Sequence, residues 1–234
     1  MQKLFDQDFF IDSIKKSLEN YEKFWPRSTE KLKPIHEFIA ISLKNIWWNH
    51  IYEYFYNSTW NKELKVDWKY YQKDIDITVT KNKEPIFCVW VKFITSNYKQ
   101  NANNYFEWMM WETANIQAHN NLPYAQIIIF RDETPYYIKS KSYNEVREIW
   151  KIEKISQKDL QKYINLEFDV NQAHKPFAIW IIMIHINEKT WDIEIVDFDK
   201  IIDNPKLSIL LKNNLSFEEF FKRVYNYKLF LDSK

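Results

Sequence analysis

The run Lys73-Asp74-Ile75-Asp76-Ile77-Thr78-Val79 alternates polar with branched apolar residues. In an extended strand this period of two sets Asp74, Asp76 and Thr78 on one face and Ile75, Ile77 and Val79 on the other. Two carboxylates therefore point the same way. Further on, Val89-Trp90-Val91-Lys92-Phe93 holds Lys92 inside an otherwise apolar strand, where a charged amine needs an anionic partner. If the two strands are neighbours, Asp76 and Lys92 converge. The same pattern also describes a surface hairpin with a solvated Asp pair and a lysine that snorkels to water. The next segment, Phe93 to Glu107, is dense in side-chain amides. Asn and Gln make paired hydrogen bonds to adenine edges and lysine meets phosphate. Asn97, Lys99, Gln100, Asn101, Asn103 and Asn104 are thus candidate DNA contacts.

The elements that must position these residues are legible from periodicity. Helical spacing runs from Phe5 to Phe24 through Phe9, Ile11, Ile14, Leu18 and Tyr21, and a second helical stretch from about Glu30 to Tyr56, with Pro26 and Ser28 between them. Strands are expected around Leu64 to Val66, from Tyr70 to Thr80 and from Pro85 to Ile94; the last is almost continuously apolar and so central in a sheet. Asn103 to Asn120 reads as a helix, Ala125 to Phe130 as a buried strand and Tyr136 to Lys139 as a short strand. Helices over Tyr143 to Trp150 and Ser156 to Ile164 lead to a hairpin, Ala178 to Ile186 with Asp192 to Phe198, and then to helices near Pro205 to Leu211 and Ser216 to Tyr227. The expected fold is an α/β sandwich: a mixed central sheet flanked by helices, with N-terminal helices and a C-terminal hairpin plus helices.

Composition adds an anomaly. The chain of 234 residues has no glycine and eleven tryptophans, whereas an ordinary usage of about 7 % would give roughly sixteen glycines. Several tryptophans stand in turn contexts, as in Ser58-Thr59-Trp60-Asn61, Val66-Asp67-Trp68-Lys69 and Asn187-Glu188-Lys189-Thr190-Trp191-Asp192, where a positive-φ residue calls for glycine. The inference is that most are UGA codons of a lineage that reads UGA as glycine. Trp60, Trp68, Trp111 and Trp191 fit this best, Trp25 and Trp108 next, while one of Trp47 and Trp48 can stand as tryptophan. The net charge of +1 advertises no global affinity for nucleic acid, so any DNA-binding surface must be local. The single Cys88 excludes an intrachain disulfide and a multi-cysteine zinc site; it reads as a buried core residue. No apolar run reaches the roughly 20 residues needed to span a bilayer, and no signal segment opens the chain, so a soluble cytoplasmic protein is expected. His36, His50, His119, His174 and His185 show no metal-ligand spacing; His36 beside Glu37 is the one to inspect in three dimensions.

With tryptophan read as glycine, residues 66–139 resemble the PD-(D/E)XK nuclease superfamily, which contains restriction endonucleases. The resemblance rests on Val66-Asp67-Trp68-Lys69 through Asp74-Ile75-Asp76-Ile77, on Val91-Lys92-Phe93-Ile94, on Ser96 to Asn101 and Asn103 to Glu107, and on Trp111-Glu112-Thr113-Ala114-Asn115-Ile116. Pro34 to Ala40 continues it upstream. In that superfamily an Asp ends one strand, an acid and a lysine stand two apart on the next, the acids hold Mg²⁺ and the lysine helps position or activate water. Asp76 and Lys92 match those roles; the expected acid two before Lys92 is instead Trp90. The resemblance implies that Glu107 or Glu112, on the following helix, joins Asp76 as a metal ligand, or that Asp74 serves, or that Glu37 completes the site from the preceding helix. It further implies one nuclease domain over 1–234 (N-terminal helices 1–60, catalytic core 61–140, C-terminal helices and hairpin 141–234). The expected activity is Mg²⁺-dependent cleavage of double-stranded DNA by a type II restriction enzyme, a homodimer with a companion DNA methyltransferase. Alternatives are a repair or junction nuclease of the same fold, a DNA-binding relative without the metal site, and a protein whose tryptophans are real and stack on single-stranded nucleic acid. Clustered exposure of Trp60, Trp68, Trp108 and Trp111 in a basic groove would favour the last.

Overall fold

In the computed structural model, residues 5–24, 29–47, 50–58, 61–137, 148–170, 172–187 and 189–233 are described. Helix α1 (Gln7–Lys23) begins at Asp6, whose carboxylate accepts the Phe9 N–H at 3.0 Å, and packs on α2 (Lys33–Ile46), which has a proline in its first turn. Then come β1 (Tyr52–Tyr56), β2 (Leu64–Asp67), β3 (Gln72–Ile75), β4 (Ile77–Lys81) and β5 (Glu84–Ile94), followed by α3 (Tyr98–Asn120) and β6 (Tyr124–Arg131). The remainder is β7 (Glu133–Tyr137), β8 (Ile149–Lys154), α4 (Gln157–Phe168), β9 (Ile179–Ile186), β10 (Ile193–Ile195), α5 (Pro205–Asn214) and α6 (Phe217–Asp232). No helix among the described residues is long and apolar enough to cross a membrane.

A six-stranded sheet in the order β1-β4-β5-β6-β9-β10 forms the centre, and β2-β3 and β7-β8 form two small ribbons. The β5/β6 and β6/β9 pairs are parallel and the others antiparallel. This is the mixed sheet flanked by helices that the periodicity predicts, with β5 inside it. The sheet takes β1 from residues 1–60 and β9 and β10 from residues 141–234, so all three expected segments share it. One face carries Val89, Val91, Phe93, Ile127, Ile129 and Ile182, packed on Phe10 and Ile14 of α1, Phe38 of α2 and Phe220 and Phe221 of α6. The other carries Ile94, Ile128, Phe130, Ile181 and Met183 against Tyr98 and Met109 of α3, Leu160 of α4 and Leu211 of α5. Coverage of both faces explains why β5 and β6 are almost continuously apolar, with Lys92 and Gln126 as the interior exceptions.

Three expectations are corrected. The second helix stops at Ile46, and Tyr52–Tyr56 is a strand paired with β4 in the register Tyr54↔Val79; the aromatic run is placed by cross-strand partners rather than by helical spacing. The segment from Tyr70 to Thr80 is two strands broken at Asp76, since β3 pairs with β2 while β4 pairs with β1 and β5. Of the helix expected over Tyr143 to Trp150, residues 143–147 lie outside the described residues, and Ile149 and Trp150 begin β8. Cys88 is fully buried as expected.

Positive φ occurs at Asn82, Lys83, Asn97, Asn121 and Trp191 among the described residues. Trp191, at φ 59°, closes a turn in which its N–H donates to the Asn187 carbonyl at 2.8 Å. Trp68 makes its turn without positive φ, donating its N–H to the Tyr71 carbonyl, and Trp111 lies inside α3. The indole N–H groups of Trp47 and Trp68 are buried without an acceptor among the described residues. Trp25, Trp48 and Trp60 lie outside the described residues.

Candidate active site

Asp76 is the single residue between β3 and β4. Its Oδ2 accepts the Val91 N–H at 2.7 Å. The β4/β5 register Ile77↔Val89 sets Asp76 opposite Trp90, and the period of two brings Lys92 onto that same face, the one covered by α3. On α3 the residues Tyr105, Met109, Glu112, Thr113 and Ile116 recur at three- and four-residue spacing, which aligns them on one side of a helix. Glu112 is the acid in that row and is only 3 % exposed. Its Oε1 pairs with the Lys73 ammonium from β3, and its Oε2 accepts the Tyr124 hydroxyl at 3.4 Å. The Lys92 ammonium lies 4.6 Å from the Tyr105 ring centroid and 5.9 Å from that of Trp90.

Electrostatics ties these groups together. Burial pushes the Asp76 carboxyl up to about 7. The Val91 N–H and Lys73 oppose that rise, while the like charges of Glu63 and Glu112 add to it. Burial lowers the Lys92 ammonium below its ordinary value, reinforced by Lys31 and opposed by Asp76 and Glu112. Burial and the charges of Glu112 and Asp76 raise the Tyr124 phenol far above its ordinary range, so it remains a donor. A carboxyl held near neutrality beside a lysine whose charge is disfavoured is the arrangement expected where acid, base and cation chemistry is done.

Of the acids named from sequence, Asp76 and Glu112 come together with Lys92. Glu107 is exposed on α3 and its charge acts on Lys162 of α4. Glu37 is exposed on α2 and acts on Lys16 of α1. Asp74 is exposed on β3, with its charge felt by Glu63. These three do not join the centre. Residues that the sequence reading assigned no role are Glu63, Lys73, Tyr124 and Lys31. Lys73 was readable as an inward position, two residues before the buried Ile75; Glu63 becomes a neighbour of Asp76 only through the long-range β2/β3 pairing.

The amide-rich segment divides in two. Asn97 is an internal brace: its side chain accepts the Tyr137 N–H at 3.2 Å and its own N–H donates to the Pro135 carbonyl at 3.0 Å. Asn101 donates to the Asn97 carbonyl at 3.1 Å, and the Lys99 ammonium pairs with Asp159. Gln100, Asn103 and Asn104 are exposed. His36 is fully buried with neither ring nitrogen partnered among the described residues, and burial pushes it down to about 3, so it is a neutral core residue without a link to Glu37. His185 pairs through Nδ1 with Asp132 at 3.0 Å, on a different part of the sheet.

Beside the centre, Trp68, Trp108 and Trp111 form a chain of ring contacts, Trp68–Trp111 at 5.7 Å and Trp108–Trp111 at 6.5 Å. The Lys73 ammonium lies 4.7 Å from the Trp68 ring, and Tyr70, Tyr71, Trp108 and Trp111 are exposed.

Among the described residues, no three His, Cys, Asp or Glu side chains are grouped so as to hold a metal ion. The donors present are nonetheless hard carboxylate oxygens, which suit Mg²⁺, and Mg²⁺ needs only one or two carboxylates, completing its shell with water and phosphate. Among the described residues, Asp76 keeps Oδ1 clear of any hydrogen bond and forms no ion pair. The donor set therefore fits a hydrated Mg²⁺. Comparison of the chain with protein-family models, with curated proteins and with solved structures finds no match.

Proposed function

We propose that this chain is a Mg²⁺-dependent DNA endonuclease that hydrolyses phosphodiesters at a specific duplex site, in the manner of a type II restriction enzyme. The observation that carries the reading is the convergence of Asp76, Lys92 and Glu112 on one face of the sheet, where burial raises the Asp76 carboxyl and lowers the Lys92 ammonium from their ordinary values. The order of elements around them, three antiparallel strands followed by a helix and a parallel strand, supports the resemblance to PD-(D/E)XK nucleases.

Asp76 and Glu112 are the residues that would hold Mg²⁺. When bound, the ion polarises the phosphate and lowers the pKa of a water molecule. The Val91 N–H fixes the Asp76 carboxylate, and Lys73 with Tyr124 fixes Glu112. Lys92, with no hydrogen bond or ion pair among the described residues, is available to meet the negative charge that develops on the phosphate, a role for preorganised donors in a water-poor site. Gln100, Asn103 and Asn104 are the exposed amides that would reach bases. Cleavage of both strands of a palindrome calls for a homodimer, and a companion DNA methyltransferase would protect the host. The decoding proposal stands beside this: UGA read as glycine is supported at Trp191 by its positive φ, and at Trp68 by an indole N–H buried without an acceptor among the described residues.

The test is plasmid cleavage with Mg²⁺ by purified, correctly decoded protein. Asp76→Ala and Lys92→Ala are each expected to abolish cutting while leaving the fold intact. Normal cleavage by either variant overturns the reading.

One observation favours a second reading. The exposed rings of Trp108 and Trp111, linked through the buried Trp68 to the exposed Tyr71 and to the Lys73 ammonium, would be a stacking platform for single-stranded nucleic acid if those tryptophans are genuine. UGG codons at positions 108 and 111 support it, and UGA codons exclude it.

A further inference from the structure

Trp90 stands in the middle of the proposed centre. It is partly buried, and its side chain packs both on the cluster that holds Met109 and on the one that holds Ile116, so it fills the seam between them under α3. In the parallel β5/β6 pair the partner of Trp90 is Gln126, and partners on adjacent strands, about 4.8 Å apart, project from the same face. We infer that Gln126 is a positioning residue of the centre: its Oε1 holds a water molecule in the space that the Trp90 indole fills, and glycine at position 90 opens that space. This rests on the nuclease and decoding readings above.

The case starts from an unmet hydrogen bond. Gln126 is fully buried. Its Nε2 donates to the Thr113 hydroxyl oxygen at 3.2 Å, and that hydroxyl donates its own proton to the Met109 carbonyl at 2.8 Å. Thr113 therefore has only lone pairs to offer, which obliges Gln126 to present its amide nitrogen there and leaves its carbonyl oxygen as the free end. That Oε1 has no partner among the described residues. A buried acceptor left unmet is costly, and the usual remedy inside a protein is an ordered water.

A buried water needs room and about two to four polar partners. An indole is far larger than the roughly 30 Å³ that a water takes up, so the room is the ring's own. Gln126 Oε1 is one partner. The Lys92 ammonium is another: it lies 5.9 Å from the Trp90 ring centroid and has no hydrogen bond or ion pair among the described residues. Asp76 adjoins the same place through the N–H of Val91, the residue after Trp90, and Glu112 precedes Thr113 on α3. A water held there lies among the charged residues of the centre, where hydrolysis of a phosphodiester needs one.

The experiment is a double-mutant cycle on the full chain: Gln126→Leu is made with Trp90 and with Trp90→Gly, and each protein is read by thermal unfolding in chelator and by plasmid cleavage with Mg²⁺. With Trp90 in place, Gln126→Leu removes an unmet acceptor and is expected to raise Tm by about 2–4 °C. With Trp90→Gly the acceptor is met by water, so Gln126→Leu is expected to leave Tm unchanged or to lower it. On that background it should also cut kcat by about 10-fold or more, as loss of a supporting residue does at metal sites, with KM within a few-fold. Should Trp90→Gly fail to fold, Trp90→Ala leaves nearly the same space and carries the cycle. An equal rise in Tm on both backgrounds, or unchanged cleavage by Gln126→Leu on the Trp90→Gly background, overturns the inference and leaves the nuclease reading standing. A UGG codon at position 90 overturns the part assigned to glycine. A Trp90→Gly chain that keeps Gln126 and does not cut overturns the nuclease reading, and the Tm cycle then decides the water site by itself.

Discussion

Replacing Asp76 by asparagine is expected to stabilise the metal-free protein above neutral pH and to do almost nothing in acid. The Asp76 carboxyl is pushed up to about 7 in the folded chain, against 3.8 as its ordinary value. A folded-state pKa above the unfolded one means that the native state holds the proton more tightly. Its contribution is fully present below about pH 4 and is lost as pH rises toward and through 7. One unit is worth about 1.4 kcal/mol, so the shift corresponds to an upper bound of about 4 kcal/mol of strain in the native state at pH 8. The substituted amide keeps an oxygen for the Val91 N–H and carries no charge, so Asp76→Asn should recover up to that amount at pH 8 and nearly none at pH 4. For a chain of this length that is a rise in Tm on the order of 10 °C. The assay is urea or thermal unfolding of both proteins in chelator at the two pH values. Saturating Mg²⁺ should narrow the gap at pH 8 by stabilising only the wild type. A stability difference that is the same at both pH values, or a variant less stable than wild type at pH 8, refutes the claim that burial and like charge strain this carboxylate.

Lys92→Met, similar in length and uncharged, should lower plasmid cleavage by about 100-fold or more while duplex binding by gel shift stays within a few-fold; unchanged turnover removes the lysine from the chemistry. Glu107→Gln and Glu37→Gln should each leave cleavage within about twofold, because both side chains are exposed and act on other elements; a large loss in either would move that acid into the centre. Trp191→Gly should raise stability by about 1 kcal/mol, because a non-glycine residue at positive φ is strained, whereas Trp111→Gly in the interior of α3 should lower it by about 1 kcal/mol. Denaturation midpoints check both, and a loss at Trp191 would count against glycine as the residue that position was built for.

Asp76 and Lys92 were legible as neighbours because the segments around them have clear period-two or continuous apolar character, and the antiparallel β4/β5 pairing beside Asp76 follows from a two-residue turn at Asn82 and Lys83. Glu112 was named from sequence, but only the structure separates it from Glu107: five positions along a helix turn the side chain about 140°, which leaves Glu107 outside. Glu63 was not legible, because its position depends on β2 pairing back onto β3. The run Tyr52–Tyr56 misled for a related reason, since β1 exists only through β4. Asn97, Lys99 and Asn101 looked like a nucleic-acid surface because amides and lysines look alike whether they brace a loop or face solvent. What fixes their role is the ribbon β7-β8, which supplies Tyr137 and Pro135 as partners of Asn97, helix α4, which supplies Asp159 to Lys99, and the Asn97 carbonyl, which accepts from Asn101.

The order of strands in the sheet sets when this centre can exist during synthesis. Asp76, Lys92, Glu112 and Tyr124 all emerge before β6 is complete, yet β6 acquires its second neighbour only when β9, Ile179–Ile186, follows. At elongation rates of about 5–20 residues per second, the growing chain spends several seconds with Ile127–Phe130 as an uncapped, wholly apolar edge. Such an edge invites pairing with another chain. A fragment ending near residue 140 therefore carries the reactive residues without the strand that closes their sheet, and aggregation, rather than a minimal active core, is its expected fate.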